Sequence, residues 1–482
     1  MNIKITRLNF MYIIFSIVLC VCTVERYINM GNSNYKDMLN YTAMIGLIQI
    51  ILCIIIWKKH TGKFISLFLF YLLSYYIFTM GQSLLQLFGI EFKFANIYMQ
   101  VNEATMIKAH VFTIFCIAFL FEGALIAVQN KNKKTKKEKY LTDNFLSKNI
   151  IGQVGIVLFL GSVIPMCIYL GKLLLAYGSG GYAFAFESVS NSSGLMRIIS
   201  KIYPFCVPSL VMIIVSYNDD RKKIAQIIMG TIGVLYFFIG ERTGAASILL
   251  SLFILDSQLK ESKNKKTSKS STIKIILLVL ALAVLIPAVG ALRNSSDLSF
   301  NSLVGEVKEH GILAGITDTI ATMGYSEFPL GKTMEIVPYY KNYAYGQSYF
   351  FALLAIFPNL IGGTHVSVKY AGLAQWLMNA LHMSYGPGYS YPAEAWYNFG
   401  WFGCLFMFII GYVFCKFMYI PSNRKMDAIS LYISVAFFLQ TVTSPRRELM
   451  TVIRLVGYYV FIPILLMFLL KSYAHKRGKA NE

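Results

Sequence analysis

Residues 109–128 read AHVFTIFCIAFLFEGALIAV, a run of twenty residues with a single acid, Glu122. A helix of this length rises about 30 Å, which matches the thickness of the hydrocarbon core of a bilayer. The run therefore predicts a helix that crosses a membrane.

Similar apolar runs lie on both sides of this one, and the chain is 56% hydrophobic and only 14% charged. Such a composition is typical of a membrane protein. We predict an all-α polytopic membrane protein of about 12 transmembrane helices with one large extracytoplasmic loop. The spans are expected near 9–25, 41–57, 65–89, 109–128, 150–172, 200–216, 224–240, 242–257, 274–292, 396–418, 427–443 and 451–470. Residues 1–291 then hold helices 1–9, 292–395 form the loop, and 396–482 hold helices 10–12 and a cytoplasmic tail.

The positions of the lysines and arginines predict the orientation. If the N-terminus and every second connection face the cytoplasm, 28 of the 44 basic residues lie on that side. The remaining basic residues are spread over much more polypeptide, so the positive-inside rule places both termini in the cytoplasm and the loop outside.

Charge and motifs exclude several classes of function. The lysine-rich tracts 131–139 and 260–269 adjoin predicted spans, where anionic membrane lipids attract them, so nucleic acid is not an expected partner. All eight cysteines fall inside predicted spans, and no Cys/His spacing indicates a zinc site. No nucleotide-binding motif is present, which argues against an ATP-driven pump. We expect neither a cofactor nor a metal.

The predicted loop carries three segments that are expected to lie at the membrane surface. Residues 303–323 and 371–383 space their apolar residues as in amphipathic helices. The apolar run in 348–363 ends at Pro358 and is too short to span, so it predicts a re-entrant or interfacial turn. Packing of a small external domain is the alternative for all three.

Five arginines lie at or near the predicted outer ends of spans, against the positive-inside preference. They are Arg242 in GERTG, Arg293 in GALRNSSD, Arg446 and Arg447 in SPRRE, and Arg454 seven residues further on. Arg447 and Arg454 are predicted to share one helical face, with Arg454 about two turns into the membrane. A guanidinium binds phosphate oxygens in a bidentate manner, so the cluster favours a lipid phosphate or pyrophosphate. Snorkelling into lipid headgroups is the alternative.

Three further motifs carry a family resemblance together with GERTG at 240–244. They are YGQSYFFALLAIFPNL at 345–360, YGPGYSYPAEAWYNFGWFG at 385–403, and the SPRRE region at 444–454. In order and spacing they resemble bacterial O-antigen and capsular polysaccharide polymerases of the Wzy type, which are polytopic and carry their main outer loop late in the chain. Related O-antigen ligases share this topology but depend on a loop histidine. The loop histidines here, His310, His365 and His382, lie in no recognised context.

The resemblance implies glycosyl transfer on the outer leaflet of the bacterial cytoplasmic membrane. The donor would be a growing glycan on undecaprenyl pyrophosphate and the acceptor a single lipid-linked repeat unit, whose hydroxyl attacks the anomeric carbon as pyrophosphate leaves. Arg242, Arg293, Arg446 and Arg447 would stabilise the pyrophosphate, and Arg454 is also predicted to bind substrate. Glu394 is the first candidate for the base and His382 the second, and a helix-terminal acid is the structural alternative for Glu394.

Tyr345, Tyr389 and Asn398, which belong to the matched motifs, are predicted to bind substrate. The expected partners are undecaprenyl-pyrophosphate-linked glycans and membrane lipids, with a chain-length regulator as a candidate. Three other functions stay open: a ligase-like transferase, a sugar-lipid flippase or transporter, and a non-catalytic subunit of a polysaccharide assembly. A flippase would be expected to show repeat symmetry and charges at the bilayer centre.

Overall fold

The computed structural model describes residues 7–29, 35–63, 66–92, 96–137, 148–190, 194–261, 315–357, 359, 363–384, 386–421 and 427–480. The secondary structure of these residues is helical. The α-helices are α1 (Arg7–Ile28), α2 (Tyr35–Thr61), α3 (Leu67–Leu87), α4 (Glu103–Lys137), α5 (Lys148–Ser190), α6 (Leu195–Ile202), α7 (Cys206–Ser216), α8 (Asp220–Phe238), α9 (Arg242–Glu261), α10 (315–324), α11 (Phe328–Ile336), α12 (Gln347–Leu353), α13 (Val366–Ala371), α14 (Leu373–Ala380), α15 (Tyr391–Phe399), α16 (Cys404–Met418), α17 (Ala428–Thr441), α18 (Leu449–Val456) and α19 (Ile462–Ala480).

Nine helical segments of the described chain are long and apolar enough to cross a membrane. They correspond to nine of the predicted spans, so the prediction of an all-helical, polytopic membrane protein is confirmed. The predicted seventh span forms α8, but four charged residues at 220–223 begin that helix and reduce its apolar length. The predicted eighth span is a shorter apolar helix, Thr243–Leu259, and the predicted span at 274–292 lies outside the described residues.

One compact unit comprises Met1–Lys137, Ile320–Asn423 and Gln440–Gly457. Within it α4 is a central helix that packs on α1, α2 and α16. The backbones of α4 and α16 approach closely because each contributes a glycine: a Cβ on Gly123 would collide with the Phe408 carbonyl, and one on Gly411 with the Leu120 carbonyl. Small residues of this kind allow close helix packing in membranes.

The second compact unit comprises Glu138–Thr319, Arg424–Leu439 and Tyr458–Glu482. In it α5 packs along α7, and α8 packs on α9. Aromatic contacts reinforce this unit: the rings of Tyr169 and Tyr203 stack with centroids 3.7 Å apart, and Phe205 meets Tyr459 edge-on at 4.8 Å. The Tyr459 hydroxyl donates to the Lys201 carbonyl at 3.2 Å.

Short helices form the described part of the predicted loop in the first unit. Ala352, Ala355, Ala371 and Met450 make a buried cluster that packs α12 and α13 against α18. The helix predicted within 371–383 is present as α14, and α10 is the described part of the one predicted at 303–323. The segment predicted as a re-entrant or interfacial turn begins with the two-turn helix α12 and a 3-10 turn, Leu354–Ile356.

Candidate functional site

The centre of the candidate site is α15, whose residues 391–398 are all buried. The side chain of Ser390 caps the helix by accepting from the Ala393 amide at 3.4 Å, and Pro392 occupies the first turn. Both residue types are typical of a helix start. Because Glu394 and Asn398 are four residues apart, they lie on the same face of the helix.

Glu394 has no solvent exposure, and both of its carboxyl oxygens accept hydrogen bonds. Oε1 accepts from the Ser348 hydroxyl of α12 at 2.7 Å, and Oε2 accepts from the Leu449 amide at 2.7 Å. Leu449 is the first residue of α18, where a backbone amide has no partner within its own helix. Glu394 therefore joins three helices and caps the amino end of one of them.

Asn398 is equally buried, and all of its polar atoms are bonded to protein groups. Its Nδ2 donates to Ser348 Oγ at 2.7 Å and to the Glu394 carbonyl at 2.8 Å. Its Oδ1 accepts from the Gly346 amide at 3.0 Å. Asn398 thus links α15 to the turn that precedes α12.

Glu448 repeats the capping arrangement of Glu394 on another helix. Its Oε2 accepts from the Ala374 amide at the start of α14 at 2.8 Å, and its Oε1 accepts from the Thr451 hydroxyl at 3.3 Å. Burial raises the pKa of Glu448, while these hydrogen bonds and the charge of Arg454 oppose the rise. The two glutamates connect α15, α18 and α14 in series.

The arginines of the SPRRE segment lie next to these capped ends. Ser444–Arg446 form a 3-10 turn, Arg447 and Glu448 are extended, and α18 begins only at Leu449. Arg446 is exposed, whereas Arg447 and Arg454 are half-buried. The prediction that Arg447 and Arg454 share one helical face is wrong, because the helix starts after Arg447.

Tyr389 and His382 have opposite environments. Tyr389 is fully buried, its hydroxyl lies 3.1 Å from Thr333 Oγ1, and burial raises the pKa of its phenol. His382 is exposed and follows the end of α14. There the amides of His382 and Met383 bond back to the carbonyls of Asn379 and Met378, a common helix ending.

The family model described as O-antigen polysaccharide polymerase Wzy matches residues 10–478. The chain belongs to this polymerase family. No curated protein and no solved structure matches the chain. The match covers nearly the full length, so the membrane helices and the described site both fall within the family region.

Among the predicted site residues, hydrogen bonds join Asn398 to both Glu394 and Tyr345. One unit holds Glu394, Asn398, Tyr345, Tyr389, His382 and the arginines of 446–454. Arg242 begins α9 in the other unit, and Arg293 lies outside the described residues. The roles of these residues in catalysis and substrate binding stay predictions.

Sequence reasoning missed the residues that organise this network. Ser348 bridges Glu394 and Asn398, yet its position in the Tyr-Gly-Gln-Ser-Tyr motif gives no sign of that. The sequence shows Glu448 as the acidic residue of the SPRRE motif, but the Ala374 amide that it binds lies 74 residues away in the chain. Long-range partners of this kind cannot be read from local spacing.

Proposed function

We propose that this membrane protein polymerises undecaprenyl-pyrophosphate-linked repeat units into a surface polysaccharide, O-antigen or capsule, on the outer leaflet of the cytoplasmic membrane. The terminal hydroxyl of one lipid-linked unit attacks the anomeric carbon of the donor glycan. A new glycosidic bond forms, the bond to pyrophosphate breaks, and the hydroxyl proton passes to a base. Family membership supports the polymerase assignment.

The observation that carries the site assignment is the bonding of SPRRE to α15. Glu394 holds the start of α18 through the Leu449 amide at 2.7 Å, so the adjacent extended segment with Arg447 has a fixed anchor. Exposed Arg446 precedes it. Arginines on a fixed backbone are preorganised donors for the charge that develops on a leaving pyrophosphate.

Arg447 and Arg454 complete the basic part of the site on this unit, with Arg446 as the most accessible member. Glu448 is close enough to Arg454 for their charges to interact. Because a guanidinium presents several donors in a rigid plane, it suits a pyrophosphate better than an ammonium does. Arg242 and Arg293 remain predicted contributors from elsewhere in the chain.

For the base, we place His382 ahead of Glu394. A base must come within hydrogen-bond distance of the attacking hydroxyl. The imidazole of His382 is exposed, whereas the carboxyl of Glu394 is fully buried and bonded at both oxygens. In this proposal Glu394, Ser348 and Asn398 are positioning residues, and Tyr389 is a buried neighbour in the chain that contacts Thr333.

The proposal is tested by substituting the accessible residues in the purified protein. His382→Gln removes the base and should slow glycan elongation roughly 10²–10⁴-fold with little change in thermal stability. Arg446→Ala should weaken the use of lipid-pyrophosphate donor. Lys416→Ala is a control for general loss of positive charge, because Lys416 is a basic residue in the last turn of α16 and is not part of the proposed site. Unchanged elongation in both site variants would reject this arrangement of the site.

A further inference from the structure

A turn before α12 holds a tyrosine in an unusual backbone conformation. The Gln347 amide bonds to the Ala344 carbonyl at 2.9 Å, and the two central residues have positive φ, +47° at Tyr345 and +88° at Gly346. A turn with two positive φ values favours glycine, asparagine or aspartate. A bulky aromatic residue at the first of these positions is disfavoured by contacts of its Cβ with the backbone.

The end of α15 holds this turn in place. The amides of Ala344 and Tyr345 donate to the carbonyls of Tyr397 and Asn398, each at 3.0 Å, and the Gly346 amide donates to Asn398 Oδ1 at 3.0 Å. Three successive amides are therefore bonded to one helix end. The buried network of Glu394, Ser348 and Asn398 fixes that end in turn.

The tyrosine that is held in this way does not pack into the core. Tyr345 is 76% exposed, and its ring meets Tyr343 edge-on with centroids 6.4 Å apart. Tyr343 meets buried Trp396 at the same distance. The three rings thus run outward from the core, with Tyr345 as the outermost.

His382, the other described non-glycine residue with positive φ, shows why Tyr345 needs a separate explanation. His382 occupies the left-handed position of a common helix ending, where histidine is tolerated. Tyr345 precedes a helix, and asparagine would satisfy the same turn without its steric cost. A disfavoured conformation that several bonds maintain at an exposed position is a sign of function.

We propose that the aromatic ring of Tyr345 binds sugar by stacking on a pyranose ring of the lipid-linked glycan. The Glu394, Ser348 and Asn398 network serves to hold this ring at a set orientation in the unit that also contains Arg446, Arg447 and Arg454. The inference rests on the proposed polymerase function, which supplies the glycan. The amphipathic ring of tyrosine offers an apolar face to the C–H groups of a sugar and a hydroxyl to its polar edge.

An anchor in the lipid headgroups is the competing role for an exposed tyrosine. Such an anchor needs only to lie at the right depth, and nothing in that role requires a left-handed backbone or three bonds to one helix end. The fixed geometry therefore favours a ligand with a defined shape.

Saturation-transfer NMR on the purified full-length protein in nanodiscs tests the proposal. The probe is the repeat-unit oligosaccharide, free of lipid, released from the cells' own surface polysaccharide by partial acid hydrolysis. Tyr345→Asn suits the turn but lacks the ring, so it should weaken binding about tenfold while the melting temperature stays level or rises. Tyr345→Phe keeps the ring and should recover most of the binding.

Tyr340→Asn is the matched control, because Tyr340 is 87% exposed and lies outside the positive-φ turn. Wild-type binding of the glycan by Tyr345→Asn, no binding by the wild-type protein, or an equal loss in Tyr340→Asn would each overturn the proposal. A fall in melting temperature with unchanged binding would give Tyr345 a structural role instead. Because the probe carries no lipid pyrophosphate, its binding is independent of polymerisation, and failure of the proposed reaction would be seen separately in the elongation assay.

Discussion

Glu394→Gln separates a positioning role from a catalytic one. Glutamine has nearly the same shape, and its carbonyl can face the Leu449 amide while its amide faces Ser348 Oγ. Ser348 Oγ has two lone pairs and can accept from both this amide and Asn398. The change keeps the Leu449 amide paired, but the buried Ser348 hydroxyl loses its acceptor, because the new amide that faces it is a donor.

The expected loss of stability follows from that bonding. A buried donor that is left without its acceptor costs about 1–3 kcal/mol, and Ser348 has no solvent exposure. We therefore expect Glu394→Gln to lower the unfolding free energy by about 1–3 kcal/mol. Elongation of lipid-linked glycan by the folded protein should stay within about tenfold of wild type, whereas loss of a general base costs roughly 10²–10⁴-fold.

Unfolding in mixed micelles and the initial rate of elongation should be measured on the same preparations. Glu394→Ala should show the largest loss of stability, because it leaves both the Leu449 amide and the Ser348 hydroxyl without their acceptor. Ser348→Ala removes one of the two bonds alone. A Glu394→Gln protein that is as stable as wild type but at least a hundredfold slower would refute the positioning role and make Glu394 the base.

Other predictions concern charge, pH and topology. Arg447→Lys keeps the charge but not the bidentate geometry, so elongation should fall about tenfold or more with normal membrane insertion, while lipid snorkelling predicts no change. Burial raises the pKa of Glu448, so its proton binds the folded state more tightly, and stability should rise as pH falls through that raised pKa and level off below the ordinary carboxyl pKa. The melting temperature of Glu448→Gln, measured over the same pH range, should not show this rise in stability. The predicted orientation can be tested in a variant whose native cysteines are replaced. A cysteine at exposed Tyr340 should react with a membrane-impermeant thiol reagent in intact cells, whereas one at exposed Asn218 should not. The reverse pattern would contradict the orientation.

Sequence predicted the membrane helices well because their cause is local. An apolar run of sufficient length is needed wherever a helix meets hydrocarbon, and nine of the predicted runs form such helices in the described residues. The α8 segment shows the limit of that reasoning. Its apolar run is preceded by the charged stretch 220–223 within the same helix.

The site was harder to predict because its bonds join distant parts of the chain. Glu394 could be recognised as an acid near a span, but its partner Leu449 lies 55 residues further on, and the cap it makes belongs to another helix. The extended backbone at Arg447 likewise follows from a turn and cap that a helical repeat does not reveal. The conformation of Tyr345 depends on the carbonyl of Asn398, so its sequence motif alone could not show the strain.

Elongation by the purified protein alone tests the central claim most directly. The protein should be reconstituted into liposomes with undecaprenyl-pyrophosphate-linked repeat units and no other protein, and the products resolved on a gel. Polymerase activity predicts a ladder whose steps equal one repeat unit, with release of undecaprenyl pyrophosphate. Folded protein that leaves only single repeat units would contradict the account, and movement of those units across the bilayer without elongation would indicate a transporter.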